Sequence, residues 1–212
     1  MSGRARQYPV NLIVEGRPCL VVGGGPVAAR KVEGLLACEA RVHVVAPDVG
    51  DAILRLAPPV TYETRPYRPG EAAGYRLVIA ATDSRELNST VFADAERAGV
   101  WVNGADDPDN CSFTLPSVLR RGALLVTVST SGTSPAFSSW LRARLETVLG
   151  PEYETLLDLV AGERDAIRAA GRSTEGLDWR SALDSGMLDM IREGQLVKAR
   201  ERLQACLSSS SD

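Results

Sequence analysis

The run Cys19-Leu20-Val21-Val22 breaks into Gly23-Gly24-Gly25-Pro26 and passes directly into a helical pattern. No other stretch of the chain limits its fold so sharply. Ala28, Val32, Leu35 and Leu36 recur at i, i+4, i+7 and i+8, which is one face of a helix. A second apolar strand, Val42–Ala46, follows at the spacing of a βαβ unit. Read as G-x-G-x-x-A, the motif puts Gly23 at the tight turn. Gly25 then stands where backbone approaches a pyrophosphate, and Ala28 where helix packs closely on strand. The helix N-terminus adds free N–H groups and the positive end of its dipole. These features imply a dinucleotide site; a glycine turn with no ligand is the competing reading.

The pattern then repeats. Candidate strands are Val60–Thr64, Leu77–Ala81 and Val100–Asn103. Between the last two, Asp83-Ser84-Arg85-Glu86 reads as a capping box with Asp83 as cap, and Gly99 closes the helix. Alternating strands and helices predict an α/β fold, a Rossmann-like doubly wound parallel sheet. Its ligands belong at the carboxyl ends of the strands.

From Ser112 the rhythm changes. Ser112–Leu115 and Ala123–Ser129 read as two further strands. Ser134-Pro135 reads as N-cap and first residue of a helix with Phe137, Leu141, Leu145 and Val148 on one face. A helix from Pro151 carries Tyr153, Leu156, Leu157 and Val160, and a last one carries Leu196, Leu203 and Leu207 before a Ser-rich tail expected to be disordered. The expected organisation is a Rossmann domain over 1–115, a small dimerisation and substrate region over 116–150, and a helical C-terminal region over 151–212. That helical region looks too small for a core of its own, so it is expected to dock on its own sheet or a second protomer.

The 212 residues carry a net charge of −3, which leaves no electrostatic footprint for nucleic acid. No apolar run reaches membrane-spanning length, and the N-terminus lacks a signal-peptide pattern. Cys19, Cys38, Cys111 and Cys206 are scattered without a C-x-x-C, which points to a reduced, cytoplasmic protein rather than a zinc site. A single histidine excludes a His-rich metal site.

Four segments in order resemble one family. They are GGGPVAARK at Gly23–Lys31, Ala80-Ala81-Thr82-Asp83, the stretch from Val102-Asn103-Gly104-Ala105-Asp106-Asp107-Pro108 to Ser112-Phe113-Thr114-Leu115-Pro116-Ser117, and Val128-Ser129-Thr130-Ser131-Gly132-Thr133-Ser134-Pro135. Together they are similar to the precorrin-2 dehydrogenase and sirohydrochlorin ferrochelatase family. That family includes the N-terminal module of siroheme synthase, and the match runs from about Tyr8 to Gly150. The chain ends before a methyltransferase domain would fit, so the resemblance is to the stand-alone form. It implies NAD-dependent oxidation of precorrin-2 to sirohydrochlorin in siroheme biosynthesis, by a homodimer. Some members also insert ferrous iron, so a bifunctional enzyme is an alternative. A non-catalytic NAD-sensing Rossmann module is another.

The resemblance places the family's catalytic aspartate on Asp106, preferred over Asp107 and Asp109 by its distance to Ser112-Phe113. A carboxylate there could take the proton released as hydride leaves, or pyrrole N–H protons during metal insertion. The same segment is rich in turn formers, and a plain turn is the alternative. Gly23, Gly24, Gly25, Pro26 and Val27 are the expected pyrophosphate contacts. Pro47 and Asp48 end the second strand, where an acid holds the ribose 2′-OH, and no arginine follows to hold a 2′-phosphate; NAD is favoured over NADP. Thr82 is a candidate cofactor contact. Asn103 either bonds the nicotinamide or ribose or terminates its strand. Ser129, Thr130, Ser131 and Thr133 offer hydroxyls to substrate carboxylates, while Ser134 is explained by capping. Arg120, Arg121, Arg142 and Arg144 could pair with carboxylates, but each taken singly reads as solvated surface. His43 reads as a packed or surface residue.

Overall fold

The structure is a computed structural model that describes residues 6–105 and 107–208. The expected disorder of the Ser-rich tail concerns residues 209–212, which lie outside the described residues. The chain divides into two compact units, Met1–Leu115 and Pro116–Asp212.

The first unit is built on five parallel strands: β1 (Pro18–Val22), β2 (Arg41–Ala46), β3 (Thr61–Thr64), β4 (Leu77–Ala80) and β5 (Trp101–Gly104). Their spatial order is β3-β2-β1-β4-β5. Val21 pairs with Val44 on one side and Ile79 on the other, so β1 is central. Successive strand residues point to opposite faces, and both faces are covered. Cys19, Val21, Val42, Val44, Leu77 and Ile79 form one core with Ala28 and Val32 of α1 (Pro26–Leu36) and Ile53 of α2 (Asp51–Leu54). Leu20, Val22, Val45, Val78 and Val102 form the other with Val91 and Ala95 of α3 (Arg85–Arg97). Each fully buried Val, Leu or Ile contributes about 1.5–3 kcal/mol. The chain winds one way from β1 to β3 and the other from β4 to β5, so strand order reverses beside β1. A crevice for ligand belongs at that reversal, above the carboxyl ends of β1 and β4.

Two sequence expectations need correction in this unit. The cap of α3 is Ser84, not Asp83: its Oγ accepts from the Leu87 amide at 3.2 Å. The helix starts one residue later because the Thr82 hydroxyl accepts from the Ser84 amide and holds residues 82–84 as a turn. Ser112–Leu115 is not a strand either. Ser112 bonds Val102 through both its amide and its hydroxyl, and Cys111 makes a single antiparallel bridge to Asn103. Pro116, which has no N–H, then precedes the real strand.

The second unit opens with an antiparallel hairpin of β6 (Ser117–Arg121) and β7 (Leu124–Val128). Its two-residue turn begins at Gly122 with φ +53°, a value glycine supplies at little cost. The helix α4 (Pro135–Val148) follows, capped as expected by the Ser134 hydroxyl, which accepts from the Phe137 amide at 3.1 Å. Beyond it come α5 (Glu152–Ala169), α6 (Trp179–Leu183), α7 (Met187–Arg192) and α8 (Leu196–Ser208). The C-terminal helices do have a core of their own, contrary to expectation. Ala182 of α6 and Met187 and Ile191 of α7 join Leu156, Ile167, Ala199, Leu203 and Leu207 in one cluster. The short helices α6 and α7 complete it; they are too brief for sequence periodicity to reveal. Among the described residues no helix is long and apolar enough to cross a membrane.

Candidate functional site

The glycines after β1 divide their work. Gly23 has φ +129°, and a Cβ there would overlap the Ala81 carbonyl at the end of β4. A Cβ on Gly24 would overlap the Asp48 carbonyl beyond β2. Both glycines are therefore demanded by the fold itself, because three strand ends converge on one turn. Gly25 is different. It is exposed, and a Cβ there would meet nothing within 4 Å. It is also the N-cap of α1 with no side-chain cap, so the first amides of the helix point outward. This open, uncapped helix start fits a pyrophosphate. Pro26 is exposed and Val27 half-buried beside it.

Pro47 and Asp48 are exposed, and the Gly50 amide donates to the Gly24 carbonyl at 3.0 Å, tying the two loops together. Thr82 follows β4. Its hydroxyl donates to Asn88 Oδ1 at 2.8 Å, and Asn88 Nδ2 donates to the Thr82 carbonyl at 2.9 Å. Sequence reading missed Asn88. The available signal was an amide at i on the face that carries Val91 and Ala95 at i+3 and i+7.

At the end of β5, Asn103 is 7% exposed. Its Nδ2 donates to the Phe113 carbonyl at 2.9 Å and to Cys111 Sγ at 3.3 Å. Asp106 lies outside the described residues. Asp107 is buried and accepts from Asn110 Nδ2 at 2.8 Å, with the Arg85 guanidinium 3.6 Å away. Asn110 also donates to the Ser89 hydroxyl at 3.0 Å, which anchors the one-turn 3-10 segment Pro108–Asn110 to α3. Burial pushes the Cys111 thiol pKa up, so the thiol stays protonated at neutral pH.

In the second unit, residues Ser129–Ser134 form the loop between β7 and α4. Thr130 Oγ1 accepts from the Ser134 amide at 3.1 Å and donates to the Ser134 carbonyl at 3.2 Å. Ser129 Oγ accepts from the Ser131 amide at 3.3 Å. Ser131 and Gly132 both have positive φ, and Ser131, Gly132 and Thr133 are exposed. The two left-handed residues close a tight turn in which the Thr133 amide donates to the Thr130 carbonyl at 2.8 Å, so the loop presents its exposed hydroxyls. Of the four arginines, Arg121 donates to the Leu149 carbonyl at 3.0 Å and Arg142 pairs with Glu146 at 2.6 Å. Arg144 lies over the Trp140 ring, 5.8 Å from its centroid. His43 is half-buried in the first unit, stacked on Tyr75 with ring centroids 6.3 Å apart. Among the described residues no group of three or more His, Cys, Asp or Glu could hold a metal ion.

Residues 10–117 match the family described as putative NAD(P)-binding, and residues 121–147 match the sirohaem biosynthesis protein central family. Siroheme synthase of Nitrosomonas europaea is 37% identical over 209 residues, covering 96% of this chain and 44% of that protein. Siroheme synthase of Methylococcus capsulatus is 40% identical over 199 residues, covering 92% of this chain and 42% of that protein. The chain thus spans less than half the length of these curated relatives. The solved structure of SirC, precorrin-2 dehydrogenase, superposes with a TM-score of 0.71 at 24% identity, over 94% of this chain and 98% of that one. It has the same fold.

Proposed function

The chain belongs to the putative NAD(P)-binding family and carries a second match to the sirohaem biosynthesis protein central family, and from that premise we propose that it oxidises precorrin-2 to sirohydrochlorin with NAD as hydride acceptor. The observation that carries this reading is Gly25. It stands at an uncapped helix start, beside a strand-order reversal, with open space where a side chain would be. The backbone amides of Gly24, Gly25 and Val27 would hold the pyrophosphate; Pro26 has no N–H, and that of Gly23 donates to the Val45 carbonyl at 3.0 Å. Asp48, exposed after β2, would receive the ribose, which favours NAD over NADP. Thr82 lies next to that crevice. Bound NAD supplies the hydride acceptor.

The reaction removes a hydride and a proton from the substrate, so a base must stand near the reacting carbon. Asp106 is assigned that role from its place in Asn103-Gly104-Ala105-Asp106, directly beyond β5. The engagement of Asp107 with Asn110 and Arg85 supports the choice, because it gives the neighbouring carboxylate a turn-holding task. The exposed hydroxyls of Ser131 and Thr133 would receive carboxylates of the substrate. Ser129 and Thr130 shape that loop.

The working form is a cytoplasmic homodimer. Phe137, Trp140 and Val148 of α4 are exposed on the single chain, Trp140 by 56%. The aromatic pair Phe137–Trp140, with centroids 5.6 Å apart, is an apolar surface of the kind a second copy would cover. Light scattering at micromolar concentration should give twice the chain mass, and a monomer would contradict the assembly.

The test of function is the purified chain mixed with NAD and precorrin-2. The expected result is NADH formation with the sirohydrochlorin spectrum. A parallel arm with ferrous iron as substrate decides whether iron insertion follows. No NADH under turnover conditions would overturn the reading.

A further inference from the structure

The backbone ladder of β4 runs to Ala81, whose amide donates to the Val22 carbonyl at 2.8 Å. Thr82, one residue on, finds its backbone partners on a side chain instead. Asn88 Oδ1 accepts from the Thr82 amide at 3.3 Å, and Asn88 Nδ2 donates to the Thr82 carbonyl at 2.9 Å. Oδ1 also accepts from the Thr82 hydroxyl at 2.8 Å. Chemistry fixes which way the side-chain amide points, because an N–H only donates and a carbonyl only accepts. Asn88 is 5% exposed and shares the buried face of α3 with Val91 and Ala95. An amide group in such a place is costly unless its hydrogen bonds are made, and here Thr82 takes them.

The peptide that joins Ala81 to Thr82 has a second neighbour, Gly23. A Cβ on that glycine would overlap the Ala81 carbonyl and stand 3.4 Å from the Thr82 nitrogen. A trans peptide is planar, with its carbonyl and N–H on opposite sides. Asn88 holds the N–H side, and the carbonyl side closes on the glycine turn. The loop after β2 holds the same turn through the Gly50 amide on the Gly24 carbonyl. The glycine turn is therefore fixed by two loops, and Asn88 anchors one of them.

We propose that Asn88 is a positioning residue for the cofactor. It holds the Ala81–Thr82 peptide against Gly23, so that Gly24, Gly25 and Val27 present their amides to the pyrophosphate in one arrangement. The proposal rests on the reading of the glycine turn as an NAD site. Without the side-chain amide the peptide takes several orientations, and only molecules in the native one bind NAD tightly. Apparent affinity falls by that fraction, so a turn competent about one-tenth of the time binds about tenfold more weakly.

The experiment compares the parent with Asn88→Leu, Asn88→Ala and Val91→Ala. Leucine keeps a branched side chain in the space and makes no hydrogen bond; alanine removes both. Val91→Ala loosens the packing of the same helix and leaves the bonds to Thr82 in place. Each is measured for NAD affinity by calorimetry, for melting temperature, and for hydrogen exchange at the Thr82 amide relative to the Ile79 amide of β4. Both Asn88 variants should bind NAD about tenfold more weakly, and their Thr82 amide should exchange about tenfold faster relative to Ile79. Val91→Ala should melt at a lower temperature with NAD affinity within about twofold of the parent.

NAD affinity within about twofold of the parent in both Asn88 variants would overturn the proposal. So would a comparable loss of affinity in Val91→Ala, since general loosening of α3 would then explain the effect. Weakened binding with unchanged exchange at Thr82 would also overturn it, by showing that Asn88 acts through something else. A parent chain that does not bind NAD would instead remove the cofactor reading, and this role with it.

Discussion

The Gly50 amide donates to the Gly24 carbonyl at 3.0 Å, locking the turn after β1 to the loop after β2. That lock leaves no room for a side chain on Gly24, where a Cβ would overlap the Asp48 carbonyl. Gly25, one residue on, faces open space. Neighbouring glycines should therefore fail in different ways. Gly25→Val should keep the melting temperature of the parent and lose NAD affinity by about a hundredfold or more, since the side chain takes the space of the phosphates. Gly24→Val should destabilise the fold itself, by about 1–3 kcal/mol or more as overpacking does. Calorimetry with NAD and thermal melts separate the two. Unchanged NAD affinity in folded Gly25→Val would remove the fingerprint reading.

The cap of α3 gives a second contrast. Ser84 Oγ accepts from the Leu87 amide, whereas the capping role expected of Asp83 is not filled by it. Ser84→Ala should cost about 1 kcal/mol in urea unfolding. Asp83→Ala should cost less than about 0.5 kcal/mol, as surface changes do. Equal losses would contradict the assigned cap.

Asp94 predicts a pH dependence. Its carboxylate accepts from the Gly70 amide at 2.6 Å, from Arg97 at 2.9 Å and from the Tyr67 hydroxyl at 3.1 Å. The Gly70 hydrogen bond, with help from Arg97 and Tyr67, holds its pKa below the ordinary value. A depressed carboxylate stabilises the fold above its unfolded pKa of about 3.9, and that stability is lost as pH falls through the lower native value. The stability gap between parent and Asp94→Asn should be constant from pH 7 to about 5 and should shrink below about 4. Urea titrations at stepped pH measure it. A gap still undiminished at about pH 3 would contradict the assignment.

The β1–α1–β2 unit was legible because its signals are local: an apolar run, glycines, then a 3.6-residue period. Strand β4 was legible for the same reason. What escaped was set by distant partners. Nothing near Asp83 tells that Thr82 and Asn88 fold residues 82–84 into a turn and pass the cap to Ser84. Ser112–Leu115 has strand-like composition, yet Ser112 spends its hydrogen bonds on Val102 and leaves no ladder to extend. The C-terminal core escaped because Ala182, Met187 and Ile191 sit on helices of five and six residues, too short to show a period. At the candidate site, Gly23–Gly25 could be read from sequence. The division between fold-demanded and ligand-facing glycines could not, since it depends on the Ala81 and Asp48 carbonyls. The thiol of Cys111 went unread because its acceptors, Gly104 and Asp107, are backbone carbonyls that composition does not reveal.

In the proposed reaction a carboxylate beyond β5 takes the proton as hydride leaves, that of Asp106 rather than Asp107. The most direct measurement is the rate of NADH formation from precorrin-2 and saturating NAD, in Asp106→Asn beside Asp107→Asn. Asparagine keeps the size of aspartate and removes its basicity. NAD affinity should stay near the parent value in both variants, and kcat should fall by about a hundredfold or more in Asp106→Asn, the usual worth of a positioned base. Asp107→Asn, which can still accept a hydrogen bond from Asn110, should lose much less. A rate in Asp106→Asn equal to the parent, or a larger loss in Asp107→Asn, would contradict it.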